Sequence, residues 1–282
     1  MATRGPGWLR QVLRGRGAAP EPSPADWPAG TRIERDVPYG PHPAQRLDLY
    51  APAGAQGCPV LVLVHGGAWM LGDKAQPGVV LHKVRHWLPR GWVVVSLNYR
   101  LLPEADPLQQ ADDVARAIGT VQRDVQRWGG DGRRVALCGH STGAHLAALV
   151  LADVSLAAAH GLQPPQAAVL LDSAALDVVQ VMEGAHLPLH DRAFGDDPVV
   201  WRRASPWHQV QQALPPLLLV CAQDREAATQ QAERFALRAR SAGGSAQVAL
   251  VPLSHREINE HLGQDDGLSR LVDDFLAAQG LP

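Results

Sequence analysis

The stretch Val135-Ala136-Leu137-Cys138-Gly139-His140-Ser141-Thr142-Gly143-Ala144 decides the fold. Its four leading apolar residues read as a buried strand, and the run from Ala144 to Leu151 reads as a helix. The five residues between them form a sharp turn with a serine at the apex. In a chain with 27 glycines, Gly-x-Ser-x-Gly alone is a weak pattern; its position at the exit of a buried strand gives it weight. A serine held there stands clear of the sheet on a strained turn. Glycines two residues to either side let strand and helix approach where any Cβ would clash.

A serine hydroxyl is a weak nucleophile, so this reading requires a base, an orienting acid and donors for an oxyanion. Downstream, Pro216 to Ala222 reads as a buried strand with Asp224 two residues beyond it. Val248 to Val251 reads as the last strand, with His255 in the loop that follows. Asp224 and His255 are therefore the expected acid and base, with Glu226 and His261 as their nearest competitors. A helix N-cap is the structural alternative for Asp224, since Asp is favoured there. Upstream, Val60 to Val64 runs into His65-Gly66-Gly67-Ala68-Trp69, a bend of small residues whose backbone N–H groups are free to face a ligand. The expected oxyanion donors are the N–H groups of Gly67, Ala68 and Thr142.

The His-Gly-Gly-x-Trp bend resembles the bacterial esterase/kynurenine-formamidase branch of the α/β-hydrolases. So do Gly72-Asp73-Lys74, Asn98-Tyr99-Arg100-Leu101, Trp128-Gly129-Gly130-Asp131, Phe194-Gly195-Asp196 and Ala204-Ser205-Pro206. The resemblance spans residues 30 to 280. It implies Ser141 as nucleophile, Asp224 as acid and His255 as base, the same three that the strand argument selects. Ala68 stands where the related hormone-sensitive-lipase pattern usually has a third glycine, and Thr142 where alanine is common. Both substitutions keep the backbone donors.

Around the turn, the chain reads as an α/β protein of the hydrolase type. Ile33–Val37 and Arg46–Tyr50 alternate as half-exposed edge strands. Near-continuous apolar runs at 59–64, 92–97, 134–138, 167–171, 216–222 and 247–251 fit six parallel strands covered on both faces. This predicts eight strands, two of them antiparallel, with helices on both faces. The clearest helix carries Val114, Ala117, Ile118, Val121, Val125 and Trp128 at spacings of three and four. A single domain over 31–282 is expected, with a cap segment at about 173–212 that walls the substrate pocket. Trp69, Phe194 and His140 are the candidate pocket residues. Residues 1–30 carry Arg4, Arg10, Arg14 and Arg16 and a Pro-rich stretch, and read as a loosely attached arm.

A net charge of −2 gives no electrostatic reason to expect nucleic acid or an anionic membrane. No run of about 18 apolar residues is present to span a bilayer. Three cysteines, two on predicted buried strands, suit free thiols in a reducing cytoplasmic compartment. No metal is expected: His82 and His86 share a four-residue spacing without a third ligand and read as a solvated helix face, while Pro188 interrupts His186 and His190. Nucleotide-binding glycine signatures are absent, so no cofactor is expected. The expected function is a serine hydrolase of small-molecule carboxylic esters acting through an acyl-enzyme. The alternatives are an arylformamidase using the same machinery and a hydrolase-fold protein that binds without turnover.

Overall fold

The computed structural model describes residues 21–282. The basic part of the N-terminal arm, with Arg4, Arg10, Arg14 and Arg16, lies outside the described residues. The rest of the arm packs on the domain: Trp27 is buried against Tyr50 with ring centroids 4.9 Å apart, and Asp26 pairs with Arg85 at 3.0 Å.

Eight strands form one sheet in the order β1-β2-β4-β3-β5-β6-β7-β8. They are β1 (Arg32–Pro38), β2 (Arg46–Ala51), β3 (Cys58–Val64), β4 (Val93–Leu97), β5 (Gly130–His140), β6 (Ala167–Leu171), β7 (Leu217–Ala222) and β8 (Ala246–Val251). Strand β2 is antiparallel to both β1 and β4, and every other pairing is parallel. Only β2 therefore runs against the rest. Strand β1, opposed to β2, returns to the common direction, where two opposed strands were expected. The central strands are buried along their length, as their continuous Val/Leu/Ala content requires. At the edge, β8 is only half covered and leaves Leu250 exposed.

Helices close both faces. The predicted stripe lies on the helix Pro107–Asp124 and the 3₁₀ turn that follows it, and Val114, Ala117, Ile118, Val121, Val125 and Trp128 are all buried. Asp106 caps that helix through a box with Gln109. The segment between β6 and β7 holds four short helices, Val178–Glu183, Pro188–Phe194, Pro198–Arg203 and Pro206–Gln209. Its Met182, Leu189, Phe194 and Ala204 join the same apolar cluster as Trp69 and the β3 and β5 side chains. Among the described residues no helix is long and apolar enough to cross a membrane.

Candidate active site

Parallel pairing brings the ends of β3, β5, β6 and β7 side by side, and each end supplies one part of the site. At the end of β5 the chain turns into the helix Thr142–Ala152 through Ser141, whose φ of 56° and ψ of −118° place it among the few non-glycine residues with positive φ. Such a conformation persists only where the surroundings hold it. Two glycines make it feasible. A Cβ on Gly139 would fall 2.5 Å from the Gly143 carbonyl, and one on Gly143 would fall 2.2 Å from the Val64 carbonyl at the end of β3. The Ser141 N–H donates to the Leu171 carbonyl at 2.7 Å, tying the turn to the last residue of β6.

The bend after β3 lies directly against the serine: a Cβ on Gly66 would sit 3.0 Å from the Ser141 Cβ. Gly67, Ala68 and Trp69 all adopt positive φ, at 138°, 55° and 60°. The Gly67 carbonyl is turned back to accept from Met70 and Leu71 at 3.1 and 2.9 Å. Among the described residues, the N–H groups of Gly67, Ala68 and Thr142 find no internal acceptor, leaving three donors near Ser141. His65 is structural. Its Nδ1–H donates to the Gly66 carbonyl at 2.9 Å, its ring stacks on Tyr99 at 4.5 Å, and burial lowers its pKa.

The carboxylate that meets His255 is Asp172, the first residue after β6, and not Asp224. His255 Nδ1 lies 2.6 Å from Asp172 Oδ2. Asp172 is 1% exposed, and its own φ is 53°. The Asp172 N–H donates to the Val220 carbonyl at 2.7 Å, and its Oδ1 accepts from the Ala222 N–H at 3.2 Å. Burial pushes the carboxyl pKa up, but the His255 hydrogen bond and the Arg225 guanidinium outweigh it, so the net shift is downward. Asp224 lies in the exposed turn after β7 and makes no side-chain hydrogen bond among the described residues. The turn that exposes Asp224 directs Arg225 inward; its N–H closes the turn on the Ala222 carbonyl at 3.0 Å. Arg225, not Asp224, is also the N-cap of the helix Glu226–Ser241, and Glu226 is engaged with Gln230 at 2.9 Å.

His255 opens the helix His255–His261, behind an N-cap at Ser254 that forms a box with Glu257. Two further contacts seat that helix. His140 Nε2–H donates to the His255 carbonyl at 2.9 Å, with the two rings 4.5 Å apart. Buried Lys83 donates to the Gly78 carbonyl at 2.8 Å, to Asn259 Oδ1 at 3.1 Å and to the Asn259 carbonyl, and burial brings its pKa down to about 8. His261 ends the same helix, with its Nδ1 3.8 Å from Asp266. Ser141 Oγ and His255 Nε2 are not hydrogen-bonded to one another among the described residues. Catalytic hydrogen bonds are often long before substrate binds and tighten in the complex.

The three candidate pocket residues behave differently. His140 is half-buried and anchors the His255 helix; burial first, and the neighbouring His255 second, hold its pKa well below the ordinary histidine value. Trp69 and Phe194 are each 2% exposed and pack edge-to-face at 4.9 Å, so both belong to the core rather than to an open wall. The Trp69 Nε1–H donates to His145 Nδ1 at 3.2 Å, which fixes the tautomer in which His145 Nε2–H donates to the Ala204 carbonyl at 2.8 Å. Burial pushes the His145 pKa down to about 4. This relay ties the bend after β3 to the helix Thr142–Ala152 and to the segment 173–212. His86, expected on a solvated face, is instead buried and bonded to Asp273 at 2.8 Å. No metal-competent cluster occurs among the described residues.

Asp172 had a signal in the sequence: it follows the buried run Ala167–Leu171 directly, as Asp224 follows Pro216 to Ala222 two residues on. Arg225 had none, because nothing in the residue order distinguishes it from a solvated arginine.

The sheet and the strained serine turn define an α/β-hydrolase. A protein-family profile described as BD-FAE matches residues 47–238, more than half of the chain, and the chain belongs to that family. It is similar to a probable isoprenylcysteine α-carbonyl methylesterase ICMEL2 of Arabidopsis thaliana, 34% identical over 132 residues that make up 46% of this chain and 31% of that protein. Esterase LipC of Mycobacterium tuberculosis is 29% identical over 283 residues, 86% of this chain and 66% of its own length. Kynurenine formamidase of Danio rerio is 34% identical over 122 residues, 43% of this chain and 39% of that protein. The chain thus matches about a third of the plant relative's length. Among solved structures, esterase B from Lactobacillus rhamnosis superposes with a TM-score of 0.76 at 22% identity, over 97% of this chain and 93% of that one, a likeness of fold.

Proposed function

We propose that this protein hydrolyses carboxylic esters of small molecules through an acyl-enzyme formed on Ser141. His255 Nε2 takes the hydroxyl proton as Ser141 Oγ attacks the carbonyl carbon. Asp172 holds the imidazole with its Nδ1–H directed at Oδ2 and stabilises the imidazolium that forms. The N–H groups of Gly67, Ala68 and Thr142 receive the negative charge on the carbonyl oxygen, each worth on the order of 10²–10³ in turnover. The alcohol departs with the proton from His255, and water then cleaves the acyl-enzyme with His255 as base. The observation that carries this reading is a buried carboxylate 2.6 Å from the imidazole that follows β8, next to a serine held at φ 56°.

Ser141→Ala tests it. Turnover of a p-nitrophenyl acetate or butyrate ester should fall by about 10⁶ while the fold is kept. A variant retaining a tenth of the rate contradicts the assignment. A second reading, hydrolysis of an aryl formamide by the same residues, is favoured by the similarity to a kynurenine formamidase. Comparing kcat/KM on N-formylkynurenine and on aryl butyrates separates the two, and a preference for the butyrate excludes the second.

A further inference from the structure

The ester-hydrolase reading uses Asp172 and His255 and leaves a third group in contact with both. Arg225 Nη1 lies 2.5 Å from Asp172 Oδ2, 3.1 Å from the Asp172 carbonyl and 2.6 Å from His255 Nδ1. With the 2.6 Å from Nδ1 to Oδ2, three atoms of three residues form a closed triangle. We propose that Arg225 is a positioning residue of this site, an arginine clamp that assigns the proton of the triangle to the bond between His255 Nδ1 and Asp172 Oδ2.

Donors and acceptors decide where that proton sits. A guanidinium only donates, and a carboxylate oxygen accepts from more than one donor. Nδ1 can either donate to Oδ2 or accept from Nη1. Only the first arrangement leaves Nε2 unprotonated and able to act as base. Arg225 settles the choice by directing its Nη1 hydrogens at the Asp172 carboxylate and carbonyl, which lie on one residue and fix the direction of the fork. The same bonds hold the carboxylate in place on a residue whose backbone is at φ 53°.

Among the described residues, the groups facing His255 are few. Asp172 approaches from the end of β6, Arg225 from the turn after β7, and His140 from the end of β5; Lys83 holds the same helix one turn further on, at Asn259. Arg225 is the only permanent cation among them that touches the ring nitrogen. In the protonated ring that accompanies attack, Nδ1–H faces a guanidinium as well as a carboxylate. Removing the guanidinium takes a positive charge away from a ring that becomes positive during attack, and the pH dependence of the reaction rate should change with it.

The test rests on the hydrolase reading and is separable from it. The rate of Ser141 labelling by a fluorophosphonate probe is measured against pH for wild type, Arg225→Ala and Arg225→Lys, with thermal unfolding as the control for folding. At pH 7, Arg225→Ala should label about 10- to 100-fold more slowly than wild type, the usual scale for loss of a charge-assisted hydrogen bond. Its acid limb should move from the wild-type position, and added guanidinium chloride should restore part of the rate where equal sodium chloride does not. Arg225→Lys, which keeps the charge without the fork, should fall between the two and keep the acid limb near its wild-type position. Labelling of Arg225→Ala within twofold of wild type at every pH overturns the proposal. So does a slowed variant with an unmoved acid limb and no rescue by guanidinium, which is the signature of a merely structural arginine. If Arg225→Ala fails to fold, the same criteria apply to Arg225→Lys and Arg225→Met. Failure of the wild type to label overturns the hydrolase reading itself, whatever Arg225 does.

Discussion

Replacing Asp172 by Asn should cost this protein most of its activity, and replacing Asp224 should cost almost nothing. Asp172 is the only carboxylate hydrogen-bonded to His255 among the described residues, at 2.6 Å from Nδ1. Two unit charges about 4 Å apart at an effective dielectric constant of ~20 interact by about 4 kcal/mol. Loss of that attraction in the transition state corresponds to about 10³ in rate. The substitution also reverses a hydrogen bond. Oδ1 accepts from the Ala222 N–H, whereas Oδ2 is shared by Arg225 and His255, so a carboxamide that keeps its oxygen on the Ala222 N–H sets its NH₂ against both Nδ1 and the guanidinium. Nδ1 must then accept, the ring proton moves to Nε2, and the base is blocked. The combined expectation for Asp172→Asn is a fall in kcat/KM of about 10³–10⁴ on an aryl acetate at pH 7–8, with KM little changed. Asp224→Asn, in an exposed turn, should stay within about twofold of wild type. A tenth or more of wild-type kcat/KM in Asp172→Asn, together with a thousandfold loss in Asp224→Asn, refutes the assignment of the acid to the end of β6.

Three further outcomes follow from the same geometry. Gly66→Ala should lower kcat sharply and cost stability as well, because the new Cβ would meet the His140 backbone carbonyl at 2.8 Å and the Ser141 Cβ at 3.0 Å; paired esterase assays and urea titrations check this. Trp69→Phe keeps the ring packing on Phe194 but leaves His145 Nδ1 without its donor, and should destabilise by about 1–3 kcal/mol in chemical denaturation. Lys83 carries a folded pKa of about 8 against 10.5 unfolded, so below pH 8 the folded state carries the buried charge at a cost. That cost is relieved as pH rises from about 8 to 10.5, and wild type should gain stability relative to Lys83→Met across that window in denaturant titrations.

Much of this was legible in the residue order because it depends on local rules. The Gly139–Gly143 turn announces itself, since only glycine fits where a Cβ would overlap the Gly143 and Val64 carbonyls. The strands announce themselves through continuous apolar runs. The acid was read as Asp224, whereas the carboxylate bonded to His255 is Asp172; both follow buried strands, and the winding of the turn after each decides which one faces the histidine. One residue of turn after β7 sends Asp224 to solvent and Arg225 inward, and the pattern of apolar residues carries no information on that. The roles of Trp69 and Phe194 were hidden for a related reason. An aromatic beside a catalytic bend serves equally as pocket wall or as core, and here a donor bond to His145 from another element pulls Trp69 into the core. The direction of β1 likewise depends on its pairing with β2, a long-range choice that two alternating strands do not encode.

The most direct measurement is mass-spectrometric mapping of the protein after reaction with a fluorophosphonate ester analogue. One adduct per chain, on the peptide carrying Ser141, abolished by Ser141→Ala and slowed about a thousandfold or more by Asp172→Asn, is the predicted result. No adduct, or an adduct on another residue that persists in Ser141→Ala, contradicts a nucleophile at the apex of the β5 turn.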